Sequence, residues 1–177
     1  MIANRGLDDE MRAPKYAQIE WERRWLIYPA RRPRLDREWM TVIQDRYIEG
    51  TRLRLRRMSR PGPGEVKWKL TKKYRCDDPA ARPIVTSYLT AAEYEVLCAL
   101  PARELSKRRY HVEIAGRYWS VDLFEGPLHG LETIECEAED AVSLAALAPP
   151  DWALREITHL PQWQCGALAA ARAIPED

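Results

Sequence analysis

Alternation of polar and apolar positions begins at residue 16. Ile19, Trp21 and Arg23 fall on one side of an extended segment and Glu20, Glu22 and Arg24 on the other, before an apolar close at Trp25, Leu26 and Ile27. A period of two places side chains i and i+2 on the same face of a strand, so the pattern predicts a first β-strand. The Pro- and Arg-rich stretch 29–39 breaks the alternation and reads as a solvated connection. Strands follow at Val42–Ile48 and Arg52–Arg57, joined by a tight Glu49-Gly50 turn, and another starts after Pro61-Gly62-Pro63-Gly64, where Lys67 and Lys69 alternate with Val66, Trp68 and Leu70. A β-branched run at Ile84–Leu89 leads into Thr90-Ala-Ala-Glu93, a capping box that opens a helix through Leu100. Strands near Ser106–Ile114 and Arg117–Phe124 flank an Ala115-Gly116 turn, and a last strand covers Glu132–Ala138. Asp140 caps a short helix, and a final helix is predicted over Gln164–Ile174. Mostly strands with a few helices between and after them predicts an α+β chain.

At 177 residues, 46% apolar and 31% charged, the sequence suits one soluble domain over 15–177 behind a flexible polar arm at 1–14. No apolar leader and no run of about 18 apolar residues is present, so the expectation is a cytoplasmic protein with no membrane partner. Cys76, Cys98, Cys136 and Cys165 form no CxxC pair, and His111, His129 and His159 are isolated, which argues against structural zinc and against a hydrolase triad. A net charge of +1 gives no support for a nucleic-acid partner. Neither GxxxxGK[ST] nor GxGxxG occurs, and the seven tryptophans read as core rather than as base-stacking platforms.

Where the charges sit is more informative than their sum. Same-face pairs recur as Glu20/Glu22 with Arg24, Arg52/Arg54, Lys67/Lys69, Lys107/Arg109 and Glu135/Glu137. One reading is a sheet with one wet face, where opposite charges on neighbouring strands make surface pairs worth under about 1 kcal/mol. The other is a barrel lumen, which explains why acidic and basic pairs are segregated by strand: basic strands surround a polyanion while carboxylates hold a divalent cation against it. Arg offers bidentate donors to phosphate, and Glu at i, i+2, joined by Asp122 on the same kind of polar face, offers the hard oxygen ligands that Mg²⁺ or Mn²⁺ prefers.

At these residues the chain resembles the CYTH, or triphosphate tunnel metalloenzyme, family. Glu20-Trp-Glu22-Arg-Arg24 matches the family's ExExK signature at both acids, with Arg at the last place. Thr51-Arg-Leu-Arg-Leu-Arg56, Lys107-Arg-Arg109-Tyr, Val121-Asp122-Leu-Phe-Glu-Gly126, Gly130-Leu and Glu135-Cys-Glu137 follow in the family's order, so the likeness spans roughly Tyr16 to Ala171. It implies a closed eight-stranded antiparallel β-barrel, a tunnel with flanking helices, and metal-dependent hydrolysis of a small-molecule triphosphate or polyphosphate by a monomer or homodimer. It also implies phosphate ligands at Arg52, Arg54, Lys67, Lys69, Arg82, Lys107 and Arg109, and metal-side carboxylates at Glu20, Glu22, Asp122, Glu135 and Glu137. Arg24 and Tyr47 fall where the family places its signature lysine and a tyrosine paired with it.

Three departures leave alternatives open. The family lysine is implied to position or activate the attacking water, and an Arg cannot readily give up a proton. Ile84 and Thr86 stand where many relatives carry acids, and Gln162-Trp163-Gln164 stands where a Tyr with basic neighbours is common. A module that binds polyphosphate or a nucleotide without turning it over therefore stands beside the triphosphatase, as does an adenylyl cyclase using the same tunnel.

Overall fold

The computed structural model describes residues 14–62 and 64–176. All of the arm expected at 1–14 except Pro14 lies outside the described residues. The strands are β1 (Gln18–Ile27), β2 (Met40–Ile48), β3 (Leu53–Ser59), β4 (Val66–Lys73), β5 (Ala81–Leu89), β6 (Ala102–Ile114), β7 (Arg117–Phe124), β8 (Glu132–Ala138) and β9 (Ala153–Glu156). The helices are α1 (Ala91–Cys98), α2 (Ala141–Ala145) and α3 (Cys165–Leu168). Hydrogen-bonded neighbours run β5-β4-β3-β2-β6-β7-β8-β1, and β1 pairs back to β5, so eight antiparallel strands close a barrel. One strand makes the closure possible by dividing its free edge: Gln18–Trp21 pairs with β5, while Trp25–Ile27 pairs with β9, which the sequence pattern did not announce. No helix among the described residues is long and apolar enough to cross a membrane.

The apolar core lies outside the barrel wall. Met40, Tyr110, Val121, Ile134 and Trp25 occupy consecutive positions along one register row from β2 through β6, β7 and β8 to β1, and all five are buried. Leu144 of α2, Leu147 and Trp152 cover this row, and Trp25 meets Trp119 with ring centroids 5.6 Å apart. Arg23, on the same outer face, clamps the covering segments: its guanidinium donates to both carboxylate oxygens of Glu156 in β9, at 2.9 and 2.6 Å, and to the Leu147 carbonyl at 3.2 Å. The 29–39 connection is likewise fastened, because Arg32 donates to both oxygens of Glu132 in β8. On the far side α1 begins with the expected capping box, Thr90 Oγ1 accepting from the Glu93 N–H, and its residue Tyr94 meets Trp68 at 6.4 Å.

A second apolar cluster fills one end of the lumen. Leu26, Tyr47, Leu105 and Phe124 point inward at the ends of β1, β2, β6 and β7, and Ile157, Trp163 and Leu168 of the C-terminal segment pack onto them. The final helix is shorter than the sequence predicts, ending at Leu168 rather than Ile174, since a 3-10 turn at Pro161–Trp163 and α3 suffice to seat this plug.

Two local features carry measurable costs. The β6–β7 hairpin uses a two-residue turn with φ of +51° at Ala115 and +73° at Gly116; both places of this turn type need positive φ, which the Ala115 side chain opposes. Ala115→Asn is expected to raise stability by up to about 1 kcal/mol in urea denaturation. Asp45, inward on β2 and fully buried, receives two hydrogen bonds from Arg56 across the β2–β3 pair, at 2.6 and 2.7 Å. Burial would raise its carboxyl, but the charge and hydrogen bonds of Arg56 overcome that and hold it at about 2. A depressed carboxyl stabilises the fold above its unfolded value and ceases to as pH falls through its folded value. Asp45 is thus expected to contribute about 2 kcal/mol at neutral pH that disappears between about pH 4 and pH 2. Asp45→Asn, which strands the Arg56 charge, is expected to cost about 3–5 kcal/mol and to remove that acid limb from a stability-versus-pH curve.

Candidate functional site

The inward positions beyond the plug form a cavity of about 410 Å³. Alternation along each strand sends one set of its charges there, the residues two apart, while the opposite face packs against the outer core. Strand β1 supplies Glu20, Glu22 and Arg24, β8 supplies Glu135 and Glu137, β3 supplies Arg54 and Arg56, and β6 supplies Lys107 and Arg109. Arg52, Lys73, Arg75 and Arg82 complete the basic side, and Tyr47 and Cys165 form part of the floor. Among the described residues, nine cationic side chains face four carboxylates, so the cavity as a whole attracts anions.

Charge is not spread evenly over its walls. From β1 to β6 an alternating chain of ion pairs runs Glu22–Arg24–Glu135–Arg109–Asp122–Lys107. Arg24 Nη2 lies 2.6 Å from Glu22 Oε1 and 2.9 Å from Glu135 Oε2, and Arg24 Nε donates to Glu135 Oε2 at 3.0 Å. Arg109 contacts the other Glu135 oxygen and donates to both oxygens of Asp122 at 2.7 Å. Lys107, also paired to Asp122, is 1% exposed, so this wall is both buried and neutralised. Burial opposes the Glu135 charge, but Arg109, Arg24 and Lys107 outweigh it and hold the carboxyl well below the usual range. Burial likewise opposes the Arg24 charge, yet Cys165, Glu22 and Glu135 keep it firmly protonated.

At the β1–β8 seam the first carboxylate of this chain meets two others. Glu20, Glu22 and Glu137 each offer an oxygen within 4.8 Å of the others. Burial, then Glu135, raise the Glu22 carboxyl despite Arg24. Glu137 stays accessible to water, yet the protein around it, with Glu135 and Glu20, raises its carboxyl also. Glu20 goes the other way, since the charge and hydrogen bond of Lys73 overcome its burial. Like charges crowded in this manner favour a bound cation, and three carboxylates suit a hard divalent ion. Across the cavity the buried Arg54 Nε has no hydrogen-bond partner, and its nearest carboxylate oxygen, on Asp45, is 4.0 Å away. An orphaned guanidinium N–H at the cavity wall is a donor ready for an anion.

Most of the residues singled out from sequence line this one cavity; three do not. Asp122 is buried behind Lys107 and Arg109. Lys69 lies with its Nζ 4.9 Å from the Tyr88 ring centroid, and Lys67 is exposed beside Glu65 at 3.3 Å. Tyr47 is pushed well above its ordinary range by burial, Cys165 and Asp45, so it serves as a neutral phenol. Lys73, Arg56 and Arg75 line the cavity without having been singled out. Counting by two from Lys69 through Thr71 reaches Lys73, and from Arg54 reaches Arg56; nothing in the pattern marks Arg75, which lies past the end of β4.

No protein-family model matches the sequence, and no curated protein matches it either. Solved structures do. The chain superposes on the crystal structure of the inorganic triphosphatase NE1496 with a TM-score of 0.55 and 21% identity, covering 89% of this chain and 97% of that one. A second structure, described as the hypothetical protein NE1496, gives a TM-score of 0.56 and 23% identity over 88% and 99% of the two chains. At such identities the likeness is one of fold: the protein shares its closed antiparallel β-barrel fold with the solved structure of inorganic triphosphatase NE1496.

Proposed function

We propose that the protein hydrolyses the terminal phosphoanhydride of tripolyphosphate or of a nucleoside or other organic triphosphate, with Mg²⁺ or Mn²⁺. The observation that carries this reading is the division of one cavity into an excess of cations and a separate three-carboxylate cluster. A triphosphate presents several negative charges in a row, which the basic side can meet with bidentate Arg and point-charge Lys donors. Arg54 has an unused buried N–H for a phosphate oxygen, and Arg52, Lys73 and Arg82 line the same side. Lys107 and Arg109, neutralised by Asp122 and Glu135, form a fixed wall of N–H groups that does not have to reorganise. Glu20, Glu22 and Glu137 would hold the cation, which when bound supplies charge neutralisation to phosphate oxygens. The fold shared with inorganic triphosphatase NE1496 supports the same reading.

One observation favours a second reading, binding without turnover. Arg24 stands at the signature lysine position, is buried, and is ion-paired on two sides, so it cannot accept the proton of an attacking water.

The deciding assay incubates the protein with tripolyphosphate, ATP, GTP and thiamine triphosphate, each with and without Mg²⁺ or Mn²⁺, and follows phosphate. Metal-dependent release from at least one is expected. Arg54→Ala is expected to lower kcat/KM for that substrate about 10²-fold, the usual consequence of losing one preorganised donor. Tight calorimetric binding with no phosphate release would replace the hydrolase with the binding module, and cyclic nucleotide plus pyrophosphate from ATP would mark a cyclase.

A further inference from the structure

Glu135 and Glu22 face each other diagonally across the β1–β8 seam, two register rows apart, and the space between their carboxylates is filled by a guanidinium. The backbone sets this up: Arg24 is the register partner of Glu135, and Glu22 is the partner of Glu137. Arg24 Nη2 touches both carboxylates, at 2.6 and 2.9 Å, and its Nε adds a second bond to Glu135. Its main chain is fixed as well, because Thr158 Oγ1 accepts from the Arg24 N–H at 3.0 Å and the Ile157 N–H donates to the Arg24 carbonyl at 2.8 Å. The side chain is 9% exposed, so it has little room to swing into solvent.

Both oxygens of Glu135 are thereby occupied by guanidinium groups, Arg24 on one and Arg109 on the other. Coordination of a metal by Glu135 would require displacing at least one of these guanidinium groups and would set the ion's charge beside it, although Arg24 would keep Glu22 and Arg109 would keep Asp122. Glu22 differs. Only its Oε1 is taken by Arg24, and it remains a member of the Glu20/Glu22/Glu137 cluster.

We infer that Arg24 is a built-in cation that fills the cleft between Glu22 and Glu135, making Glu135 a tether for arginines instead of a metal ligand and limiting the cavity to one divalent ion. This rests on the reading of Glu20, Glu22 and Glu137 as the cation site. Arg24 acts through its neighbours and is a positioning residue: it fixes which oxygens of Glu22 and Glu135 stay available. A flexible, compact lysine ammonium could not span both carboxylates with the same planar fork.

Counting Mn²⁺ ions tests this without any assay of turnover. The full-length chain, Arg24→Met and Glu135→Gln are titrated with Mn²⁺, and free ion is followed by electron paramagnetic resonance. One bound ion is expected for the wild type and two for Arg24→Met, whose freed Glu22 and Glu135 open a second site. Glu135→Gln keeps one oxygen to accept from an arginine neighbour, while its amide NH2 finds no acceptor on the other, and is expected to retain one ion with affinity lowered by no more than about 10–100-fold, the size of an outer-sphere effect. Two ions on the wild type, one on a folded Arg24→Met, or loss of the ion from Glu135→Gln would each overturn the inference. Should Arg24→Met fail to fold by circular dichroism, Glu135→Gln decides alone. No ion on the wild type would remove the cation from the proposed function; in that case a gain of one ion by Arg24→Met would uphold the role of Arg24, and no gain would overturn it.

Discussion

The buried chain Glu22–Arg24–Glu135–Arg109–Asp122–Lys107 is what allows this barrel to have a charged interior at all. An isolated ionised group at such burial would neutralise or unfold its surroundings. Alternation of sign along the chain sets an opposite charge beside each member, and its links lie along β1, cross between the adjacent pairs β1–β8 and β6–β7, or reach from β8 to β6 over the intervening β7. Strand order and charge order are therefore one constraint: β1 must neighbour β8, and β6 must neighbour β7, for the pairs to form. Pairing of this kind is a weak source of net stability and a strong source of specificity, because any register slip would strand several buried charges together.

That constraint also explains where the apolar core went. With the lumen taken by ions, the row Met40, Tyr110, Val121, Ile134 and Trp25 faces outward and needs cover, which the 29–39 connection, α2 and the segment around Trp152 supply. The C-terminal residues Ile157, Trp163 and Leu168 close the one part of the lumen whose inward positions are apolar. The polar cavity is thus bounded on one side by a dry plug, which lowers the effective dielectric at its floor and strengthens the field of its cations. Tyr47 and Cys165 mark the junction between plug and cavity.

Much of the barrel could be read from residues because β-alternation is a local code: segregated pairs such as Glu20/Glu22, Arg52/Arg54 and Glu135/Glu137 expose both the strands and the face that matters. The β6–β7 turn at Ala115-Gly116 was legible for the same reason, since two positive φ values need few residues. Strand β9 was not, because Ala153–Glu156 is four residues long and is held through Arg23 and Glu156, a contact 133 positions apart in sequence. Closure itself leaned on family resemblance, as no local pattern says that the first strand returns to the fifth. Within the site, charge pattern alone could not separate Lys67 and Lys69, which lie away from the cavity, from Lys73, which lines it: all three share one face of β4, and only the length of the strand relative to the lumen decides. Nor could it show that Asp122 and Glu135 are spent on Lys107, Arg109 and Arg24, because a carboxylate's partner is a property of neighbouring strands.

The account stands or falls on where a divalent ion and a triphosphate lodge in this cavity. Anomalous diffraction from crystals soaked with Mn²⁺ and tripolyphosphate locates both at once. The account predicts a manganese peak coordinated by Glu20, Glu22 and Glu137, with phosphate oxygens on Arg54 and Arg82; manganese coordinated by Glu135, or phosphate bound only on the outer surface, would contradict it.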